Sequence, residues 1–346
     1  MDNVAAELFG PPPGSGARLK RVLVTGATGF IGRHLAYRLI ERGDRVIVLA
    51  RNPHKAAALF GPQVEIVDDL RSMPASARVD AIVNLAGAPL AGGWWTRKRK
   101  ALLIGSRLEV TTALLALVAR LERKPVTWIN ASAIGYYGVH PGDAALHEKS
   151  PPQPIFQSEL CRRWEHVAAS AGDLGVKVAW LRIGLVLAAD GGALQALARP
   201  VRLGCGAILG TGRQWVSWIA LDDLLELMLF VLDQETLAGP VNATAPEPVT
   251  HAELMRAIAA ALGRRLLPFA VPERLLRVAL GELAQLFVDG QRVLPARATA
   301  LGFEFQYPTV ETALATTLAP GVAPVDGVAG GRGKEADAPP PGSATV

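Results

Sequence analysis

The chain has 346 residues, 50% of them apolar and 19% charged, with two cysteines and a formal net charge of +5. That apolar content excludes disorder throughout, and two cysteines cannot staple so long a chain, so Cys161 and Cys205 read as free thiols of a reducing, cytoplasmic setting. The long apolar runs carry charges, and the N-terminal stretch has no basic segment followed by an apolar one, so neither a membrane span nor a secretory leader is expected.

Residues 1–19 and 319–346 are rich in Gly and Pro and read as disordered tails around a folded unit at 20–318. Arg21–Thr25 reads as a buried strand. A helix follows over 29–42, with Ile31, Leu35 and Leu39 on one face and Gly43 as its stop. Further strands are expected at 45–50, 64–67, 80–85, 126–131 and 176–182, with helices at 96–122 and 157–171 between the later ones. Near-continuous apolar strands alternating with long helices give a parallel sheet covered on both faces, a doubly wound α/β fold. Beyond about residue 190 the alternation weakens into loops rich in Gly, Pro and Trp, with helices expected at 221–232, 251–262 and 272–281. Asn242–Ala245 is a candidate further strand of the main sheet. The expected division is 20–245 for the sheet domain, with insertions from about 190, and 246–318 for a smaller C-terminal α/β domain.

The strongest motif is Thr25–Gly32 (TGATGFIG), between the first strand and its helix. Gly26 permits the tight turn, Gly29 lets backbone approach a diphosphate, and Gly32 lets helix pack on strand. The helix start, with Thr28, Phe30 and Ile31, then offers N–H groups to phosphate. The alternative is a tight turn with no ligand. After the second strand, Arg51 stands where an acidic residue would receive the ribose hydroxyls of NAD. A guanidinium suits a 2′-phosphate, so NADP is expected over NAD. Asp69 and Leu70 after the third strand, and Leu85, Ala86 and Gly87 after the fourth, fall where the rest of a dinucleotide would lie, with Arg107 on the helix that follows. Ser132 ends the fifth strand at the ligand-binding edge.

The six histidines show no H-x3-H pair and no cysteine at ligand spacing, so no metal site is expected. The basic balance fits an anionic ligand; no wide basic stripe with interleaved aromatics suggests nucleic acid. A leucine-rich surface from Leu102 to Leu117 could serve a core or a homodimer equally well.

TGATGFIG, Asn84–Ala88 (NLAGA) and Ser132–Gly138 (SAIGYYG) together resemble the extended short-chain dehydrogenases/reductases, the NAD-dependent epimerase/dehydratase superfamily. The runs Trp94–Lys100 with Ser106–Arg107, Leu160–Glu165, Gly210–Trp215 and Asn242–Pro246 are similar to one atypical branch, the "epimerase family proteins", which carry a C-terminal domain of unknown function. The resemblance implies a Rossmann-type domain, a nicotinamide cofactor and a small-molecule substrate. It also implies a Ser, a Tyr and a Lys four residues later as acid/base groups. Counting back from Glu165 puts Gln157 and Cys161 at the Tyr and Lys positions, so Ser132 alone remains, with Tyr136 and Tyr137 as replacement candidates. Two functions therefore stay open: an NADP(H)-dependent oxidoreductase or nucleotide-sugar-epimerase-like enzyme with an altered active site, or a non-catalytic NADP-binding sensor or scaffold. Some relatives' link to cell division implies a protein partner for the second.

Overall fold

The computed structural model describes residues 19–90, 93–140 and 142–318. The expected tails lie outside these residues, apart from Leu19. Seven strands form the main sheet: β1 (Arg21–Thr25), β2 (Arg45–Leu49), β3 (Val64–Val67), β4 (Ala81–Asn84), β5 (Thr127–Ala133), β6 (Lys177–Ile183) and β7 (Gly239–Ala243). Their order is β7-β6-β5-β4-β1-β2-β3 and every pair is parallel. The order reverses beside β1, where β2 lies on one side and β4 on the other. Open α/β sheets bind ligands outside the carboxyl ends at such a point.

The strands are buried on both faces, as their apolar sequences require. Val22 and Val24 face one core with Leu35, Ala36 and Leu39 of helix α1 (Phe30–Glu41); Leu23 points the other way. Three later helices flank the sheet: α3 (Arg97–Arg120), α4 (Phe156–Ala169) and α6 (Leu221–Asp233). By length and composition α3 could cross a membrane; here its Leu114, Leu117 and Val118 pack into the sheet's second core. The leucines weighed as an interface divide accordingly: Leu103, Leu114 and Leu117 are buried, and Leu102 is exposed.

Three helices of two turns or more escape the sequence reading, besides single turns at Gln285–Val288 and Ala296–Ala300. The first, α2 (Pro53–Phe60), is capped by the Asn52 side chain, which accepts from the Lys55 N–H. The others are α5 (Gly192–Arg202), which contains Pro200, and α9 (Val310–Thr317). Together with α7 (His251–Ala261), α5 and α9 form a third core beyond the sheet edge, around Leu194, Trp218, Leu254 and Leu314. The seventh strand begins at Gly239, earlier than expected. Between α7 and α9, α8 (Glu273–Leu280) and a turn over Gly281–Ala284 lean against the start of α3, where Lys100 pairs with Glu282 at 2.6 Å.

Candidate functional site

The glycine loop is shaped by what it excludes. Gly26 has φ +69°, and a Cβ there would stand 2.7 Å from the Leu85 carbonyl oxygen. A Cβ on Gly32 would collide with the Gly26 carbonyl. The backbone of β1, α1 and the β4 exit thus meet closer than any side chain permits. α1 begins at Gly29 with no side-chain cap and no acidic residue in its first turn. Its first N–H groups point out of the helix end, and the end carries positive potential, the donor set a diphosphate needs. The cradle fits a dinucleotide.

The other candidate cofactor residues divide into groups. Thr28 is half-buried and Gly29 exposed at the loop, while Ile31 packs into the core. The Phe30 ring lies against Gly191 and Gly192. The Thr25 hydroxyl turns inward and donates to Asn84 Oδ1 at 2.6 Å, so only its backbone faces the loop. Asn84 in turn donates to Asn130 and Thr111, a buried network tying β1, β4, β5 and α3 together. Arg51, Asp69 and Leu70 line a cavity of about 400 Å³ between the ends of β2 and β3 and helix α3. Asp69 is occupied by Arg71, whose hydrogen bonds hold its carboxyl below the usual range. Arg51 is exposed and makes no ion pair among the described residues. Leu85, Ala86 and Gly87 form the β4 exit, and the Arg107 guanidinium lies against Gly87.

The end of β5 is built differently. Ser132 is buried and donates to Glu165 Oε1 at 2.7 Å. Glu165 accepts two bonds from Arg182, from Nε at 3.0 Å and from Nη2 at 2.9 Å. Arg182 thus pairs with Glu165 and not with the acidic pair at the start of α6, where Asp223 accepts the Gln306 and Tyr307 N–H groups. Burial opposes the Arg182 charge, but Glu165 outweighs it and raises the guanidinium pKa.

Tyr137 is fully buried. Its hydroxyl donates to Asn242 at 2.6 Å and accepts from Arg182 at 3.1 Å. Burial pushes this phenol up to about 12, so it is fixed inside the protein and holds its proton. Tyr136 is half-buried, with the Arg182 guanidinium 3.3 Å from its ring centroid.

On α4, Gln157 and Cys161 stand one turn apart. Burial, then the Glu165 carboxylate, push the Cys161 thiol up to about 11, which removes it as a nucleophile at neutral pH. Gln157 donates to Gln285 Oε1 at 2.8 Å, and its own Oε1 is buried without a partner among the described residues. Around this pair the end of α8 and the residues after it close over the cleft: Leu280, Leu283 and Phe287 pack with Trp95, Phe156 and Leu160. Trp95 lies edge-on to Phe156 at 5.3 Å, whereas Trp94 is exposed. Sequence reasoning missed Gln285 and the Glu165–Arg182 pair. The sequence shows Glu165 only as the end of the Leu160–Glu165 run and a point to count from, and nothing local marks Gln285.

Comparison with known proteins agrees with this geometry. The family model described as "NAD dependent epimerase/dehydratase family" matches residues 22–243, and a domain of unknown function, DUF1731, matches 271–317. An Arabidopsis thaliana protein, "Epimerase family protein SDR39U1 homolog, chloroplastic", is 39% identical over 300 residues, covering 85% of each chain. Bacillus subtilis "Epimerase family protein YfhF" is 33% identical, over 86% of this chain and 98% of its own. The human epimerase family protein SDR39U1, solved with NADPH, superposes with a TM-score of 0.79 at 32% identity, covering 86% of this chain and 99% of that one. A Bacillus cereus UDP-glucuronic acid 4-epimerase with NAD shares the fold at 18% identity and a TM-score of 0.68, covering 86% of this chain and 95% of that one.

Proposed function

Since the chain belongs to the NAD dependent epimerase/dehydratase family, we propose that it binds NADP(H) across the Gly26–Gly32 loop and is an oxidoreductase or epimerase-like enzyme with a non-standard active site. The observation that carries this reading is the glycine cradle, where added Cβ atoms at Gly26 and Gly32 would meet backbone and the uncapped helix start awaits an anion. The NADPH in the human relative's structure supports the choice of cofactor. Bound there, the cofactor would supply or accept hydride.

The chain's own residues take the other parts. Arg51 stands at the adenosine cavity as the group for a 2′-phosphate. Ser132 and Tyr136 face the substrate side, and acid/base work falls to Tyr136, because Tyr137 holds its proton too tightly. The apolar cover of Leu280, Leu283 and Phe287 keeps water out. A reducing, cytoplasmic setting belongs to the same proposal, since both cysteines are unbridged.

A second reading, a non-catalytic sensor or scaffold, is favoured by one observation: Gln157 and Cys161 cannot move a proton at neutral pH, and Gln285 sits on Gln157.

Arg51→Ala tests the cofactor assignment. NADPH affinity, followed by fluorescence, should fall about tenfold or more while NADH affinity stays unchanged, as expected for one charge-assisted contact. Equal loss for both dinucleotides, or for neither, sinks the role given to Arg51.

A further inference from the structure

Arg107 is the one buried cation among the described residues with no carboxylate partner; Arg182, the other buried arginine, has Glu165. It leaves the third turn of α3, packs its guanidinium 5.0 Å from the Trp164 ring centroid and donates to the carbonyls of Leu103 at 3.0 Å and Ala88 at 3.2 Å. Its other edge lies against Gly87, where a Cβ would come within 2.9 Å of Cζ. Only glycine lets the charge approach the β4 exit so closely. Burial draws the Arg107 pKa below the ordinary guanidinium value, but arginine stays charged.

The charges around it do not cancel it. Arg99 adds a second cation, donating to the Pro89 carbonyl. Lys100 is matched by Glu282, and Glu165 by Arg182. The Cys161 thiol is neutral at pH 7. The ends of β4 and β5 therefore carry an uncompensated, largely desolvated positive charge.

On the proposed NADP(H) reading, on which this inference rests, the cofactor runs from the Arg51 cavity across the glycine loop. Its far half then passes over the β4 exit. We propose that Arg107 makes the site discriminate between the two redox states of the cofactor, holding the uncharged reduced nicotinamide in preference to the cationic oxidised ring. At the effective dielectric of about 20 that suits protein sites, two like charges up to roughly 10 Å apart shift an equilibrium about tenfold. Such a site fills preferentially with the reduced cofactor, which once bound is the weaker hydride donor by the same factor, and in a non-catalytic protein it reports the reduced fraction of the pool.

The test is a binding measurement needing no turnover. Affinities for NADPH, NADP⁺ and adenosine 2′,5′-bisphosphate are measured calorimetrically for wild type, Arg107→Met and Arg107→Lys, with thermal melting to confirm folding. Wild type should bind NADPH about tenfold more tightly than NADP⁺; Arg107→Met should bring the two within about threefold, and Arg107→Lys should keep the preference. Affinity for the bisphosphate, which lacks the nicotinamide half, should be the same in all three. A wild-type ratio near unity, or an unchanged ratio in Arg107→Met, overturns the proposal. Should Arg107→Met fail to fold, the wild-type ratio still decides. Wild-type protein that binds neither dinucleotide nor the bisphosphate removes the cofactor reading itself. Wild type that binds all three with no redox preference leaves that reading standing and removes only this one.

Discussion

The two halves of the cleft are built on opposite principles. At the ends of β1, β2 and β4 the surface is backbone: glycines clear the way, and the helix start keeps its N–H groups for a ligand. At the ends of β5 and β6 polar side chains satisfy one another, Ser132 with Glu165, Glu165 with Arg182, and Arg182 with Tyr137. One half is made to receive something; the other is complete as it stands. A fold can therefore keep its binding geometry while its reactive groups are replaced, because the first depends on backbone path and the second on a few side chains.

The largest expected effect comes from breaking the self-contained half. Glu165→Ala strands Arg182 as a buried, unpaired cation, and urea unfolding should show a loss of about 3–5 kcal/mol. If the halves are independent, NADPH affinity of the folded fraction should stay within about threefold of wild type, since no contact at the glycine loop is touched. A small stability change would mean that water reaches the pair and the closed half is more open than described.

A smaller effect belongs to the lobe that carries the cover. His251 starts α7, is 3% exposed, and neither ring nitrogen has a partner among the described residues. Burial lowers its pKa from 6.5 to about 4. Its folded pKa lies below its unfolded one, so the unfolded chain binds the proton more readily. Stability is thus complete above about pH 6.5 and is lost as pH falls toward 4, by about 2 kcal/mol between pH 7 and pH 5. Urea midpoints should show this loss in wild type and not in His251→Leu. An equal loss in both would assign acid sensitivity elsewhere. The Arg51 substitution follows, with an effect confined to one cofactor.

The sequence made the glycine loop legible because its function lies in backbone conformation, and glycine at fixed spacing announces that conformation directly. The parallel sheet was legible for a similar reason: Val22–Val24, Val46–Val48 and Ile82–Val83 have no polar face. The missed helices were hidden by local signals. Pro200 and the Gly191–Gly192 pair read as loop, although tertiary packing of Leu194, Ala198 and Val201 makes the segment helical. Asn52-Pro53 was a legible start for α2, but its run is short. The Glu165–Arg182 pair was not legible, because it depends on how α4 lies across β5 and β6. Tyr137 looked available from its neighbours in the chain; the Asn242 and Arg182 that enclose it come from β7 and β6.

On the proposed reading, the glycine loop holds a dinucleotide diphosphate against the start of α1. Gly29→Asp tests it most directly. Gly29 has φ −87°, a conformation open to aspartate, which is a favoured N-cap, and its Cβ would stand 3.1 Å from the Gly26 carbonyl oxygen, a tight contact that a small shift relieves. The variant should melt within a few degrees of wild type, which the melting curve checks. Its carboxylate would occupy the helix end and repel a diphosphate there. Calorimetric titration should show one NADPH per wild-type chain and at least about a hundredfold weaker binding to Gly29→Asp, the cost of a repelling charge where charge-assisted bonds had formed. Equal affinity in the two folded proteins would contradict a diphosphate held at that helix start.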